Sequence, residues 1–373
     1  MLYMQRKEFL AKLTQYPTGK TIEDIAEEFK LNPKELAELK LNENLYWPSP
    51  YRPSPAVKKV IIKNLDKINI YSTDLAELRE AISKYVKVPI KNIIIDAGID
   101  VILDTLVKVL IDKNDEIIIP VPTYEMFEFV TRINGGVPRY TQGDEKFDIS
   151  VDKLFSLINK RTKLILLCSP NHPTGNIIER KQLEEILKRT KVFVVVDEAF
   201  VEFVENSVTP LIKKYKNLII LRTFSKAFSL ASLRIGYGIA PEEIVKDFNK
   251  TRLPFSINSL GVKAAIAALE DQEYLKIVVK KIKEGREYLL KNIKFKTYPS
   301  EANFILVNVA PLKAKDVLSR LFKQGVLVRD CDSFGRLRDN FIRVKVGKPW
   351  QNKKIVKAIN NIYESLPKNQ RSR

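Results

Sequence analysis

The chain has 373 residues, 45% of them hydrophobic, with no low-complexity stretch, which predicts a folded protein of roughly two domains. Its formal net charge is +19, from 64 Lys and Arg against 45 Asp and Glu, but the basic residues are spread along the predicted helices beside glutamates, so a solvated surface is expected and a nucleic-acid partner is not. Two separated cysteines and one histidine form no metal-ligand pattern, and a charged N-terminus with no apolar run near ~18 residues predicts a cytoplasmic protein without signal peptide or membrane span.

Taken in chain order, Thr21 opens TIEDIAEEF with Asp24 as a capping-box partner, and Ile22, Ile25, Ala26 and Phe29 fall on one helical face. Short apolar runs then recur: NIIID, EIIIPVP, KLILLC, VFVVVD, NLIILR and IGYGIA. They are apolar on successive residues, as strands buried on both faces are. Amphipathic stretches such as VILDTLVKVLI, RKQLEEILKR and SVTPLIKKYK separate them. This alternation predicts an α/β fold with a mostly parallel sheet flanked by helices. After Leu269 come a long helix (QEYLKIVVKKIKEGREYLLKNI), a strand (FILVNV), a helix (AKDVLSRLFKQG), strands at VLVRD and FIRVKVG, and a last helix. The expected division is an N-terminal arm over 1–41 that joins the smaller domain, a large cofactor-binding domain over 42–269, and a small α+β domain over 270–373.

Ligands of open α/β sheets bind beyond the carboxyl ends of the strands, and the informative residues sit there. Asp197 ends VFVVVD. Alone it reads as a turn cap; together with the lysine–arginine segment downstream it reads as a carboxylate against a pyridine nitrogen, keeping that nitrogen protonated. Lys226 lies just past NLIILRTF. Alone it reads as surface; in company its amine can form a Schiff base with an aldehyde cofactor and then serve as the base. Thr223 and Ser225 offer hydroxyls, and Arg234 a guanidinium, to a phosphate. Gly98, Ile99 and Asp100 form a strand-to-helix turn whose amides complete that cradle. Tyr124, after PVP, can stack on a cofactor ring, or be a core aromatic.

With these residues in place, the chain resembles the fold type I pyridoxal-phosphate aminotransferases, with their seven-stranded sheet, and among them the histidinol-phosphate aminotransferase family. The motifs YPTGKTIEDIAEEF, LNENLYWPSP, AELREAI, PTYEMF, SPNHPTG, DEAFVEF, RTFSKAFSLASLRIGYG, NSLGVKAAIAAL, SEANFILV and FIRVKVG stand in family order over nearly the whole length. The resemblance implies pyridoxal 5'-phosphate as cofactor, Lys226 as the Schiff-base lysine, Asp197 as the pyridinium partner and Tyr124 as the stacking ring. It implies a homodimer with composite active sites, in which Tyr71 reaches the neighbour's cofactor phosphate. It also implies Arg343 as the holder of a substrate carboxylate or phosphate, with Arg329 and Tyr16 as further substrate-phosphate contacts. The implied activity is amino transfer from histidinol phosphate to 2-oxoglutarate, a step of histidine biosynthesis. An aromatic or other amino-acid aminotransferase, or threonine-phosphate decarboxylase, would share the cofactor residues. The alternative from another class is a basic nucleic-acid-binding protein on a degenerate scaffold, against which the complete lysine–aspartate–arginine set argues.

The chain departs from the family pattern at three places. His172, preceded by Asn171, stands where the family has the Asn of NPTG. Phe200 replaces the usual tyrosine of DEAY, and Ala97, Ile99 and Val101 replace polar residues around Gly98. Asn171 and His172 are therefore expected at the cofactor, with His172 donating to its phenolic oxygen from either ring nitrogen.

Overall fold

The Ile- and Val-rich runs of the middle of the chain pair side by side. In the computed structural model, which describes residues 20–44, 53–72, 75–205, 207–334 and 337–371, they build one seven-stranded sheet. Its order is Ile93–Asp96, Gly236–Ile239, Leu218–Thr223, Phe193–Asp197, Thr162–Cys168, Glu116–Val121 and Val137–Gln142. Gly236–Ile239 is antiparallel to both neighbours, and all other pairs are parallel. Every residue of Glu116–Val121 and Leu218–Thr223 is buried, which is why these runs carry no polar alternation. The seventh strand escapes a reading based on continuous apolar runs. Val137–Gln142 is an edge strand with alternate residues exposed, and it contains Pro138, which an edge tolerates.

The register brings the functional strand ends level. Cys168 lies opposite Asp197, Asp197 opposite Leu221, and Thr223 opposite Gly236. Beneath this edge, buried Arg222 donates from Nε to Glu198 (2.9 Å) and from Nη2 to Thr209 (2.6 Å), tying neighbouring strands together. Glu198 also accepts from the Val208 amide at 2.8 Å. That capture explains one correction. The SVTPLIKKYK stretch, expected as a helix, holds only a 3-10 turn over Thr209–Lys213, its start bound to a strand-end carboxylate.

A second, antiparallel sheet is ordered Arg329–Asp330, Phe341–Lys345, Phe304–Asn308, Lys296–Thr297. Helices Gln272–Asn292 and Pro349–Glu364 accompany it. The VLVRD run splits: Val326–Leu327 pairs in parallel with Ala37–Glu38, and only Arg329–Asp330 joins the four-stranded sheet. The N-terminal helix Ile22–Phe29 carries the expected capping box, with Thr21 Oγ1 accepting from Asp24 N at 3.0 Å and Asp24 accepting from Thr21 N at 2.7 Å. Cys168 and Cys331 are both buried free thiols. Among the described residues no helix is long and apolar enough to cross a membrane, and no cluster of His, Cys, Asp or Glu is placed to hold a metal.

Candidate active site

The carboxyl ends of the central strands and the first turn of the helix Ile99–Leu110 surround a cavity of about 270 Å³. Asp197 forms its floor. The residue is 3% exposed, its Oδ1 accepts from the Ala199 amide at 2.8 Å, and burial pushes its pKa up to about 7 against the opposing effect of that amide. A carboxylate held this dry favours a cationic N–H partner, which would restore its charge.

Lys226 stands on the turn after Leu218–Thr223, partly buried, with Nζ 5.8 Å from the centre of the Phe200 ring. Burial, followed by the Arg343 charge, lowers its pKa to about 8. The neutral amine, the form that attacks a carbonyl, is thereby made more accessible than in an exposed lysine. Asn44 braces this turn, donating to the Ala227 carbonyl (3.2 Å) and to Ser229 Oγ (2.7 Å).

One wall presents groups that could take an anion. Gly98 precedes the helix Ile99–Leu110 with φ +92°, and no side chain caps that helix, so its first amides remain available. The positive φ of Gly98 is a conformation that favours glycine, and a Cβ there would lie 2.9 Å from Arg234 Nη2, which would have to shift. Arg234 Nη2 sits 3.7 Å from Asp100, and Tyr124 donates its hydroxyl to the same carboxylate at 2.9 Å, which fixes the ring at the cavity wall. Thr223 Oγ1 accepts from the Ser225 amide at 3.0 Å, placing both hydroxyls at the strand end.

The other wall comes from the second sheet. Arg343, 4% exposed, lies over the Phe304 ring at 5.5 Å. Its guanidinium contacts the Lys40 carbonyl and Nε2 of His172. His172 is packed among Tyr124, Phe200, Phe304 and Phe334. Burial, then the Arg343, Lys226 and Arg329 charges, hold its pKa well below the usual histidine range.

A family model for aminotransferase class I and II matches residues 35–359. The chain belongs to this aminotransferase family. It is 43% identical over 364 residues to the histidinol-phosphate aminotransferase of Methanosarcina mazei, covering 96% of this chain and 98% of that one. It is 36% identical over 372 residues to that of Methanocaldococcus jannaschii, covering 97% and 98%. Among solved structures, the histidinol-phosphate aminotransferase of Clostridium acetobutylicum aligns with TM-score 0.77 at 26% identity, over 88% of this chain and 99% of that chain. The Sinorhizobium meliloti structure, in complex with pyridoxal-5'-phosphate, aligns with TM-score 0.85 at 23% identity, over 98% and 99%.

The aminotransferase cavity gathers Lys226, Asp197, Tyr124, His172, Thr223, Ser225, Arg234, Ile99, Asp100 and Arg343, with Gly98 directly behind Arg234. It does not gather the rest of the expected set. Asn171 turns away from the cavity: its amide donates to the Pro122 carbonyl (2.9 Å) and Thr174 (2.7 Å) and accepts from Thr123 (2.8 Å), which commits it to shaping the turn. Arg329 lies behind Phe334, 3.5 Å from Glu125 and donating to Ser333 at 3.2 Å. Tyr71 is 71% exposed and stacks on Phe255 at 4.7 Å. Tyr16 lies outside the described residues. Nε2 of His172 faces the Arg343 guanidinium, and its Nδ1 is buried without a hydrogen-bond partner among the described residues. Leu41, Asn42, Glu43, Cys168, Ala199 and Ala231 also line the cavity, and sequence reasoning misses them as site residues. LNEN resembles a family motif, yet nothing local in it says that it folds over a strand end.

Proposed function

We propose that the chain is a pyridoxal-phosphate-dependent histidinol-phosphate aminotransferase, exchanging an amino group between histidinol phosphate and 2-oxoglutarate. The observation that carries the reading is the pairing of a depressed-pKa lysine, Lys226, with a dry carboxylate, Asp197, at neighbouring strand ends of one cavity. The near full-length likeness to curated histidinol-phosphate aminotransferases supports the substrate.

The residues fit the cofactor. Ser225, Thr223, Arg234 and the first turn of Ile99–Leu110 would hold its phosphate, Tyr124 its ring face and Asp197 its ring nitrogen. When bound, the group supplies the electron sink that makes the substrate's α-proton removable. Lys226 Nζ, as a neutral amine, would take that proton and hand it back within the cavity. Asp197 would pair with a positive N–H on the ring nitrogen in this dry site. Arg343 holds a carboxylate or phosphate at the opposite wall, and burial strengthens that ion pair.

Half-reaction assays with histidinol phosphate, glutamate, phenylalanine and threonine phosphate test the reading. Amino transfer from histidinol phosphate and from glutamate is expected. Preference for phenylalanine, or decarboxylation of threonine phosphate, would overturn the substrate assignment.

The same reading includes a homodimer with shared sites. The segment bearing Tyr71 exposes Ile62, Leu65, Ile68 and Ile70, and the turn bearing Phe255 exposes Leu253, an apolar surface that a second copy would cover. Mixing Lys226→Ala with Tyr71→Ala chains should form hybrids with one site free of both lesions. Random assortment would then give about a quarter of wild-type activity. Activity no greater than the Tyr71→Ala chains alone contribute, after verified subunit exchange, refutes the shared site.

A further inference from the structure

A second groove, of about 700 Å³, shares no lining residue with the active-site cavity. One wall is the helix Gln272–Asn292. The other is the chain over 201–210, joined by Tyr85 and Val86 at the end of the helix Ala76–Val86. None of these residues belongs to the exposed apolar surface around Tyr71 and Phe255.

The two walls carry opposite charge. Lys276, Lys280 and Lys283 recur at i, i+4 and i+7 along the helix and are exposed. Glu205 is exposed on the facing wall. Glu202 lies beneath it, with both carboxylate oxygens buried and without a hydrogen-bond partner among the described residues. Arg222 lines the same floor but directs its hydrogen bonds to Glu198, Ser207 and Thr209. Burial pushes the Glu202 carboxyl up to about 7, against the Arg222 charge, so a cationic N–H nearby would relieve it. Lys276 pairs along its own helix with Glu273 at 2.6 Å, whereas among the described residues Lys280, Lys283 and Glu205 form no ion pair. With 64 Lys and Arg against 45 Asp and Glu, acids have cations in surplus, yet Glu205 does not close on the lysines opposite. The open volume keeps the two signs apart. Between them the lining is apolar, with Val204, Leu275 and Val279.

We propose that this groove binds a free α-amino acid with an apolar side chain, as the zwitterion. Glu205, above the Glu202 carboxyl, takes the ammonium; Lys280 and Lys283 take the carboxylate; Val204, Leu275 and Val279 cover the hydrocarbon. The arrangement asks for both charges on one small molecule. An amine alone would leave the lysine wall unpaired, and a carboxylate alone would leave the glutamate wall unpaired and add a like charge near it.

Isothermal titration of the holoenzyme with L-leucine tests the site, and saturable binding is expected. Isocaproate, the same hydrocarbon and carboxylate without the ammonium, should bind about tenfold more weakly. Glu205→Gln, and Lys280→Gln combined with Lys283→Gln, should each weaken L-leucine by about fivefold or more. Both variants should leave amino transfer from glutamate unchanged, because neither alters a residue of the active-site cavity. Absence of saturable binding overturns the proposal. Binding that survives both variants at full strength arises elsewhere, the active-site cavity included, and overturns it too. Isocaproate bound as tightly as L-leucine, and released by the same lysine substitutions, would show an anion site only and would equally overturn it.

Discussion

Lys226→Ala is expected to lower amino transfer by about 10⁴-fold or more while leaving the fold intact. Among the described residues, the substitution deletes the only amine that lines the cavity beside Asp197, and with it the expected attachment point and proton carrier. No other lining residue can replace it, because Arg234 and Arg343 are guanidinium groups that stay protonated. The fold should survive because Lys226 is only partly buried and its turn is held by Asn44 and by the Ser225–Thr223 bond, none of which uses the amine. The check is a single-turnover assay alongside circular dichroism and a urea melt. Near wild-type turnover in a folded variant would remove the basis of the assignment.

Asp197→Asn should have two opposite consequences. Activity should fall by about 10²- to 10³-fold, the usual effect of removing one group aimed at charge developing in a dry site. Stability of the cofactor-free protein should instead rise above neutral pH. The carboxyl pKa is raised from 3.8 to about 7 by burial. A group whose folded pKa is raised adds stability below its unfolded pKa and loses it as pH climbs through the folded value. Cofactor-free wild type therefore weakens between about pH 4 and about pH 7, and Asn, which does not titrate, does not. The variant's advantage should grow across that window to the order of 4 kcal/mol and then level off. Urea melts of both cofactor-free proteins at about pH 5 and about pH 8 measure it. An unchanged difference between the two conditions would mean that Asp197 is already ionised by a partner within the fold.

That a functional carboxylate costs stability here has a physical basis. Asp197 ends a strand whose other residues are Phe193, Val194, Val195 and Val196, so its side chain is carried to the dry edge of the sheet by residues selected for burial. The same holds for Thr223 at the end of Leu218–Thr223. These placements are legible in sequence because a strand's burial and its end are both local properties. The apolar runs, the caps and the Gly98 turn are likewise written within a few neighbouring residues, and they specify the central strands, the flanking helices and the candidate cofactor residues.

Other features have no local signature. The edge strand Val137–Gln142 reads as ordinary polar sequence, because half of it faces solvent. The 3-10 turn at Thr209–Lys213 depends on capture of its amide by Glu198, a strand-end residue. Asn171 and His172 are adjacent, yet one serves the turn and the other the cavity. The difference lies in Pro122, Thr123 and Thr174 on one side and Arg343 on the other. Sequence alone determined the fold class and the placement of Lys226 and Asp197 at strand ends, in their order along the chain, because period, cap and strand end are encoded in short stretches. Only the tertiary structure decided which groups meet His172 and where Arg343 points. Those outcomes come from contacts spanning 171 and 303 residues, and no local pattern encodes a contact at that range.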